Sequence, residues 1–151
     1  MLRTLIADAL KKSMIEKDTK STATLRLILA ALKDRDIAAR SKEKKETISD
    51  DEILGLLQSM IKQRRESILL YEQGGRMELA QQEAEEISVI EEFLPIQMGD
   101  EEMTTIIDTI LTETDATNLK DMGRVMSTLK KNYTGKMDFS KASALVKKRL
   151  A

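Results

Sequence analysis

The sequence has no cysteine and no histidine, and these two absences exclude several kinds of chemistry. Without cysteine there are no disulfides and no thiolate nucleophiles, and without both residues the usual zinc sites cannot form. Ser-His triads and histidine acid–base catalysis are excluded as well. The lack of cysteine fits a cytoplasmic protein. We therefore expect no catalytic residues, no metal ion and no cofactor.

Proline, glycine and aromatic residues are also scarce. The 151 residues include one proline and six glycines, and only 3% are aromatic. Charged residues make up 34% and hydrophobic residues 41%, which is a composition typical of helical proteins. The core must be built from aliphatic side chains and from some of the nine methionines. No apolar run reaches the roughly 18 residues that a membrane span needs, so we expect no membrane association.

The spacing of apolar residues predicts an all-α fold of about seven helices. We expect an N-terminal bundle of about four helices over residues 1–94 and a small three-helix unit over residues 100–151, separated at "LPIQMGD". Ser49 and Glu52 form a capping box that predicts a helix start, and Gly74-Gly75 predicts that helix's end. "ARSKEKKET", from residue 39 to 47, is interpreted as a loop. Asp100 and Asp138 are predicted to cap later helices.

Charge is distributed in blocks along the chain. Residues 1–82 carry 16 basic and 13 acidic groups, and residues 83–116 carry 11 acidic groups and no basic one. Residues 117–151 carry nine basic and two acidic groups. So dense a basic segment fits phosphate binding, although basic residues on a helix are more often part of an ordinary solvated surface. The acidic block either pairs with this segment or keeps nucleic acid from the neighbouring surface.

Within the basic segment, we single out Arg124, Lys130, Lys131 and the turn Thr134-Gly135-Lys136 as candidate RNA contacts. Gly135 suits a turn that needs a positive φ, and Lys136 would lie near the N-terminus of the next helix, where free N–H groups attract anions. Gly123 is expected inside a helix. It either packs closely against another helix or lets an RNA backbone approach.

A second basic cluster lies in "KQRRES", and it adds Arg64 and Arg65 to the candidates. These arginines either extend the anion-binding surface or cover apolar surface and pair with local acidic groups. Carboxylate pairs such as Glu83 and Glu86 are interpreted as solvated, because nothing in the sequence supplies an apolar pocket that would tune them for catalysis.

Several segments, in order and spacing, resemble the free-standing members of the GatB/YqeY family. They are "TLRLILAALK" at 24–33, "KQRRESI" at 62–68, "GGRMELAQQEAEE" at 74–86, "EEFLPIQM" at 91–98, "MGRVM" at 122–126 and "GKMD" at 135–138. The chain departs from the family pattern at Phe139, where a small residue is expected after the aspartate. The resemblance covers essentially the full length.

This resemblance implies an all-helical fold whose C-terminal part is similar to the tail domain of the B subunit of tRNA-dependent amidotransferases. That tail contacts the tRNA body and does not perform the chemistry. Gly123, Arg124, Gly135 and Lys136 are the positions carried over as tRNA contacts.

Three functional hypotheses follow. The first is a non-catalytic tRNA-binding accessory module, and the second is an adaptor for another protein of the translation apparatus, docking through acidic helices and Met-rich faces. The third, a free-standing amidotransferase, lacks a nucleophile and an ATP motif.

Overall fold

The computed structural model describes residues 1–151, and it confirms the all-α prediction with seven α-helices and no strand. The chain forms two compact units, an N-terminal unit of Met1–Leu94 and a C-terminal unit of Pro95–Ala151. Each unit has its own hydrophobic core.

The N-terminal unit contains α1 (Leu2–Ile15), α2 (Thr19–Lys42), α3 (Asp50–Gln73) and α4 (Met77–Glu91). Helix α3 packs along α4, and α1 packs along α2. The most deeply buried side chains of the core are those of Ile6, Ile28, Ile53, Leu57 and Ile90. Within one helix the buried apolar residues lie three, four or seven positions apart, as Leu25, Ile28 and Leu32 do in α2, because that spacing keeps side chains on one face.

The capping box predicted at the start of α3 is confirmed. The Glu52 amide donates to Ser49 Oγ over 3.2 Å, and the Ser49 amide donates to Glu52 Oε1 over 3.3 Å. The predicted end at Gly74-Gly75 is confirmed as well, with Gly75 at a φ of +72°. The loop predicted from residue 39 begins later than expected, because α2 continues to Lys42.

A partly buried ion pair joins α1, α2 and the segment before α3. Arg3 donates from its two terminal nitrogens to the two carboxylate oxygens of Asp36, over 2.7 and 2.5 Å. Asp36 also accepts from the Ile48 amide over 2.9 Å. The Arg3 hydrogen bonds hold the pKa of Asp36 below its usual value, and the Ile48 amide adds to this effect against the cost of burial.

The C-terminal unit contains α5 (Asp100–Glu113), a short 3₁₀ turn (Leu119–Asp121), α6 (Met122–Tyr133) and α7 (Phe139–Leu150). Its core combines aliphatic side chains with methionines. Met103 and Met137 are fully buried, and Met98, Met122 and Met126 pack against them at the edge. The prediction that Asp100 caps α5 is wrong. Gly99 holds the capping position and Asp100 is the first helical residue, where its charge still suits the helix dipole.

Candidate nucleic-acid interface

Four of the predicted site residues lie on the exposed face of α6. Val125 and Leu129 of this helix point into the core. Residues three, four or seven apart share a side of a helix, so the solvent side is formed by other positions. Gly123, Arg124, Ser127, Lys130 and Lys131 lie on this solvent side and are all exposed. The structure thus brings Gly123, Arg124, Lys130 and Lys131 together on one face.

Arg124 is held at the start of α6 by Asp121. Its guanidinium donates to Asp121 Oδ1 over 3.2 Å, while Asp121 Oδ2 accepts from the Thr117 amide over 3.0 Å. The hydrogen bond from Thr117 lowers the pKa of Asp121, and Asn118 and Arg124 add to the effect. Arg124 keeps its donors in an exposed position, although one of them is already engaged.

Gly123 lies in a helix, as the sequence predicts, and it is the second residue of α6. It is exposed, and a Cβ atom built on it would meet nothing within 4 Å. The interpretation as a close helix–helix contact is therefore wrong. Gly123 instead leaves a stretch of α6 backbone open to solvent beside Arg124.

The turn between α6 and α7 has the backbone expected of it. Gly135 has a φ of +80°, which few residues other than glycine adopt without strain. The Lys136 amide donates to the Tyr133 carbonyl over 3.0 Å, and Thr134 Oγ1 donates back to the Lys130 carbonyl. Lys136 is exposed at the end of this turn.

The segment Pro95–Met98 holds the same turn from within the C-terminal unit. The Gln97 side-chain amide donates to the Gly135 carbonyl over 2.6 Å and to the Pro95 carbonyl over 2.8 Å. The Met98 amide donates to the Lys136 carbonyl over 2.8 Å. Two turn carbonyls, which would repel an anion, are thus engaged by donors inside the unit. Sequence reasoning assigned this segment only a boundary role and missed the contact.

The N-terminus of α7 is already occupied by a carboxylate. Asp138 caps it, as predicted, by accepting from the amides of Ser140 and Lys141 over 2.9 and 3.3 Å. The expectation that free N–H groups there attract an anion is therefore wrong for these two amides. Any attraction for an anion at this turn comes from Lys136 itself.

Only some cations of the basic segment have acidic partners. Arg149 pairs with Asp108 over 2.8 Å and Lys141 with Asp100 over 3.7 Å, so α5 neutralises part of α7. The remaining lysines of α6, the turn and α7 are exposed and have no ion pair, and they are Lys130, Lys131, Lys136, Lys147 and Lys148. Sequence reasoning did not single out the last two.

Arg64 and Arg65 belong to the N-terminal unit, and both have partners on α4. Arg64 is only 13% exposed, its Nε lies 3.1 Å from Glu86 and 4.0 Å from Glu83, and it also donates to the Met60 carbonyl. Arg65 lies 3.6 Å from Glu91 and remains exposed. The structure thus favours the pairing interpretation for both arginines.

The two carboxylates around Arg64 are half-buried, so their interpretation as solvated groups is wrong. Burial raises the pKa of Glu83, and the neighbouring Glu86 adds to the effect. Their arrangement around one guanidinium is that of an internal ion pair joining α3 to α4.

Comparison with known proteins identifies the family. The sequence model described as "Yqey-like protein" matches residues 3–150. The chain belongs to the YqeY-like family.

Curated relatives of this YqeY-like chain come from yeasts and related fungi. It is 30% identical over 107 residues to "Altered inheritance of mitochondria protein 41, mitochondrial" of Kluyveromyces lactis, covering 69% of the chain and 55% of the relative. The proteins of the same name from Lachancea thermotolerans and Eremothecium gossypii are 31% and 32% identical over 112 residues, 72% of the chain and 57% and 58% of the relatives. The match thus spans just over half of each relative.

The relatives' names place those proteins in mitochondria, whereas a cytoplasmic location for this YqeY-like chain stays a prediction. No helix is long and apolar enough to cross a membrane. No cluster of three or more acidic, histidine or cysteine residues is arranged to hold a metal ion.

Proposed function

We propose that this YqeY-like protein is a non-catalytic module that binds tRNA, accessory to tRNA-dependent amidotransferase or to a related step of translation. The observation that carries the proposal is the group of exposed lysines without acidic partners at the end of α6 and in the following turn. Lys130, Lys131 and Lys136 are exposed and available to an external anion. Phosphate is the anion that such a surface meets on RNA.

The geometry of the turn supports the same function. An RNA backbone that approached Lys136 would meet neither the Gly135 nor the Lys136 carbonyl as a free acceptor, because Gln97 and Met98 bind both. On α6, the open backbone at Gly123 leaves room beside Arg124. The resemblance of this part to the amidotransferase tail, which contacts tRNA, points in the same direction.

The carboxylates give no support to catalysis by this chain. The one carboxylate with a raised pKa, Glu83, lies with Glu86 around Arg64, in an arrangement that joins two helices. Glutamine-dependent amide transfer, the carbon–nitrogen ligase reaction of the amidotransferase, therefore belongs in this proposal to the complex and not to this protein. The alternative function is that of a protein–protein adaptor. The exposed Leu27 and Ile37 on the outer side of α2 favour it.

The proposal is tested by measuring tRNA affinity against salt concentration. We expect the wild-type protein to bind labelled tRNA at low ionic strength, and the variant Lys130→Ala/Lys131→Ala/Lys136→Ala to bind more weakly. The slope of log affinity against log salt should fall by roughly two to three, one unit for each lost phosphate contact. The loss should be similar for unrelated tRNAs, because phosphate contacts carry no sequence information.

A matched control removes three cations elsewhere. Lys11, Lys17 and Arg35 of the N-terminal unit are exposed and have no ion pair, so Lys11→Ala/Lys17→Ala/Arg35→Ala changes the net charge equally. It should leave the salt slope unchanged. Equal losses in both variants would mean a nonspecific charge effect, and absence of salt-dependent binding by the wild type would refute the RNA-binding function. Circular dichroism spectra must match throughout.

A further inference from the structure

The outward side of α2 carries two large exposed apolar side chains. Leu25, Ile28 and Leu32 of this helix are buried in the core of the N-terminal unit. On the opposite side, Leu27 is 48% exposed and Ile37 is 50% exposed. In a chain with 34% charged residues, the centre of a solvent-facing helix surface is expected to be polar. This surface therefore differs from an ordinary solvated helix face.

A line of exposed residues with a regular spacing runs along this side of α2. We call them the outer stripe, and they are Ala23, Leu27, Ala30, Asp34, Ile37 and Ser41. The intervals between them alternate between four and three, which is the heptad spacing by which one helix packs lengthwise against another. Helix α2 has 24 residues, about 36 Å in length. The outer stripe is thus long enough for a complete helix–helix contact.

A row of positive charge borders the outer stripe. Arg26, Lys33 and Arg40 are seven residues apart, so they lie on one edge of the helix at intervals of about 10 Å. Arg26 donates to the sulfur of Met14 over 3.6 Å, and Arg40 donates to the Glu46 carbonyl over 3.1 Å. None of the three lies within salt-bridge distance of a carboxylate, although Arg40 also acts electrostatically on Asp36. The edge is therefore complementary to acidic side chains presented by something outside the chain.

We propose that the outer stripe docks an amphipathic helix of a partner protein that carries acidic residues at heptad intervals along one edge. Its apolar residues would cover Leu27, Ala30 and Ile37, and its carboxylates would face Arg26, Lys33 and Arg40. Asp34, the polar position in the middle, would favour one register over others. The proposal is independent of RNA binding by the C-terminal unit.

The other occupants fit less well. Nucleic acid complements the basic edge but does not require Leu27 and Ile37 to be exposed between charges. In a two-fold pair of copies with antiparallel helices, the same edge of each α2 would face its equivalent, and Arg26, Lys33 and Arg40 would then repel one another. An acidic helix satisfies both the apolar middle and the charged edge.

The test uses two synthetic amphipathic peptides of about 21 residues, three heptads. Both have leucine at the core positions, and the flanking positions are glutamate in one and lysine in the other. Fluorescence anisotropy at about 0.15 M salt, where exposed charges are screened beyond roughly 8 Å, measures binding to the full chain. We expect the glutamate peptide to bind at least roughly tenfold more tightly than the lysine peptide, since three exposed pairs contribute about that much.

Two variants examine the apolar middle and the charged edge separately. Ile37→Glu should abolish binding of the glutamate peptide, and Arg26→Glu/Lys33→Glu/Arg40→Glu should reverse the preference towards the lysine peptide. The control Lys11→Glu/Lys17→Glu/Arg35→Glu makes the same change in net charge at positions outside the outer stripe and its basic edge, with Arg35 on another side of α2, and it should keep the wild-type preference. All substituted residues are exposed, so the urea midpoints are expected to stay near wild type.

Four results would overturn the proposal. One is that neither peptide binds, and another is that both bind equally. A third is a wild-type dimer in sedimentation that Ile37→Glu dissociates, which would assign the outer stripe to a second copy. The last is weaker tRNA binding after reversal of Arg26, Lys33 and Arg40 with peptide binding unchanged, which would assign the edge to RNA. Loss of tRNA binding in the Lys130, Lys131 and Lys136 variant leaves this proposal untouched.

Discussion

The two units use their positive charges in different ways. In the N-terminal unit, Arg3 and Arg64 are tied to half-buried or buried carboxylates and join helices to one another. In the C-terminal unit, Lys130, Lys131 and Lys136 are exposed and have no acidic partner. Partly buried arginines therefore hold the N-terminal unit together, whereas exposed lysines of the C-terminal unit remain available for a ligand. Net charge, which is only −1 for the whole chain, conceals this difference.

The largest effect is expected from damage to the smaller core. Leu129 is fully buried among three short helices, and Leu129→Ala should cost the C-terminal unit about 3 kcal/mol. Because small units bury proportionally less surface, a loss of this size should unfold it. We expect urea titration followed by circular dichroism to show an early partial transition and an N-terminal unit close to wild type. A single transition shifted as a whole would mean that the two units unfold together.

Arg64→Ala tests whether the cations of the N-terminal unit are structural. The substitution leaves Glu83 and Glu86 half-buried without their shared partner, and it should lower the free energy of unfolding by about 2–3 kcal/mol. Lys136→Ala is the matched change in the C-terminal unit and should alter stability by less than about 0.5 kcal/mol. Similar urea midpoints for the two variants would remove the distinction between the units.

The acid limit of stability should depend on Asp36. Its folded pKa lies below the unfolded value because Arg3 donates to it, so the ionised carboxylate stabilises the fold. That contribution is complete above about pH 4 and is lost as the pH falls through the folded pKa. Asp36→Asn should therefore cost about 2 kcal/mol at neutral pH and flatten the decline of stability below pH 4. An unchanged slope in urea titrations across this range would contradict the assignment.

Gln97→Ala tests whether the shape of the turn between α6 and α7 contributes to tRNA binding, because it changes the support of the turn without altering any charge. It removes the two hydrogen bonds to the Pro95 and Gly135 carbonyls, at a cost of about 1 kcal/mol. We expect tRNA affinity to fall while the salt slope stays constant, since every lysine is retained. A reduced slope would indicate that Lys136 itself has been displaced.

Gly123→Ala is expected to have the smallest effect on stability. A methyl group at this open position meets nothing, so the free energy of unfolding should stay the same or rise by up to about 0.5 kcal/mol. If an RNA backbone approaches this part of α6, tRNA affinity should nevertheless fall. Ser127→Ala on the same face is the control. Equal affinity of the Gly123 variant and the wild type would exclude a close approach there.

The parts of the fold that the sequence predicted correctly depend on local interactions. The capping box of Ser49 and Glu52 and the cap at Asp138 form within four residues of chain, so their residue pattern identifies them. The end of α2 was predicted too early because residues 40–42 carry no apolar pattern. Buried Ala39 nevertheless anchors the last turns of the helix to the core.

The parts of the site that the sequence could not predict depend on distant pairs. Arg64 and Glu86 are 22 residues apart, and Gln97 and Gly135 are 38 apart. Whether such groups meet is decided by how helices pack, and hydrophobic periodicity does not specify that. The sequence shows the basic segment. Which of its lysines lack acidic partners depends on the packing of α5 beside α7, which the sequence does not specify.

The methionines of the C-terminal unit give it a chemical sensitivity to oxidants. Met98, Met122 and Met126 lie partly exposed at the edge of its core, whereas the core of the N-terminal unit contains only the buried Met60. Conversion of a thioether to the sulfoxide places a polar group among apolar side chains and weakens their packing. Peroxide would therefore disorder the C-terminal unit first, and reductases that act on methionine sulfoxide would restore it.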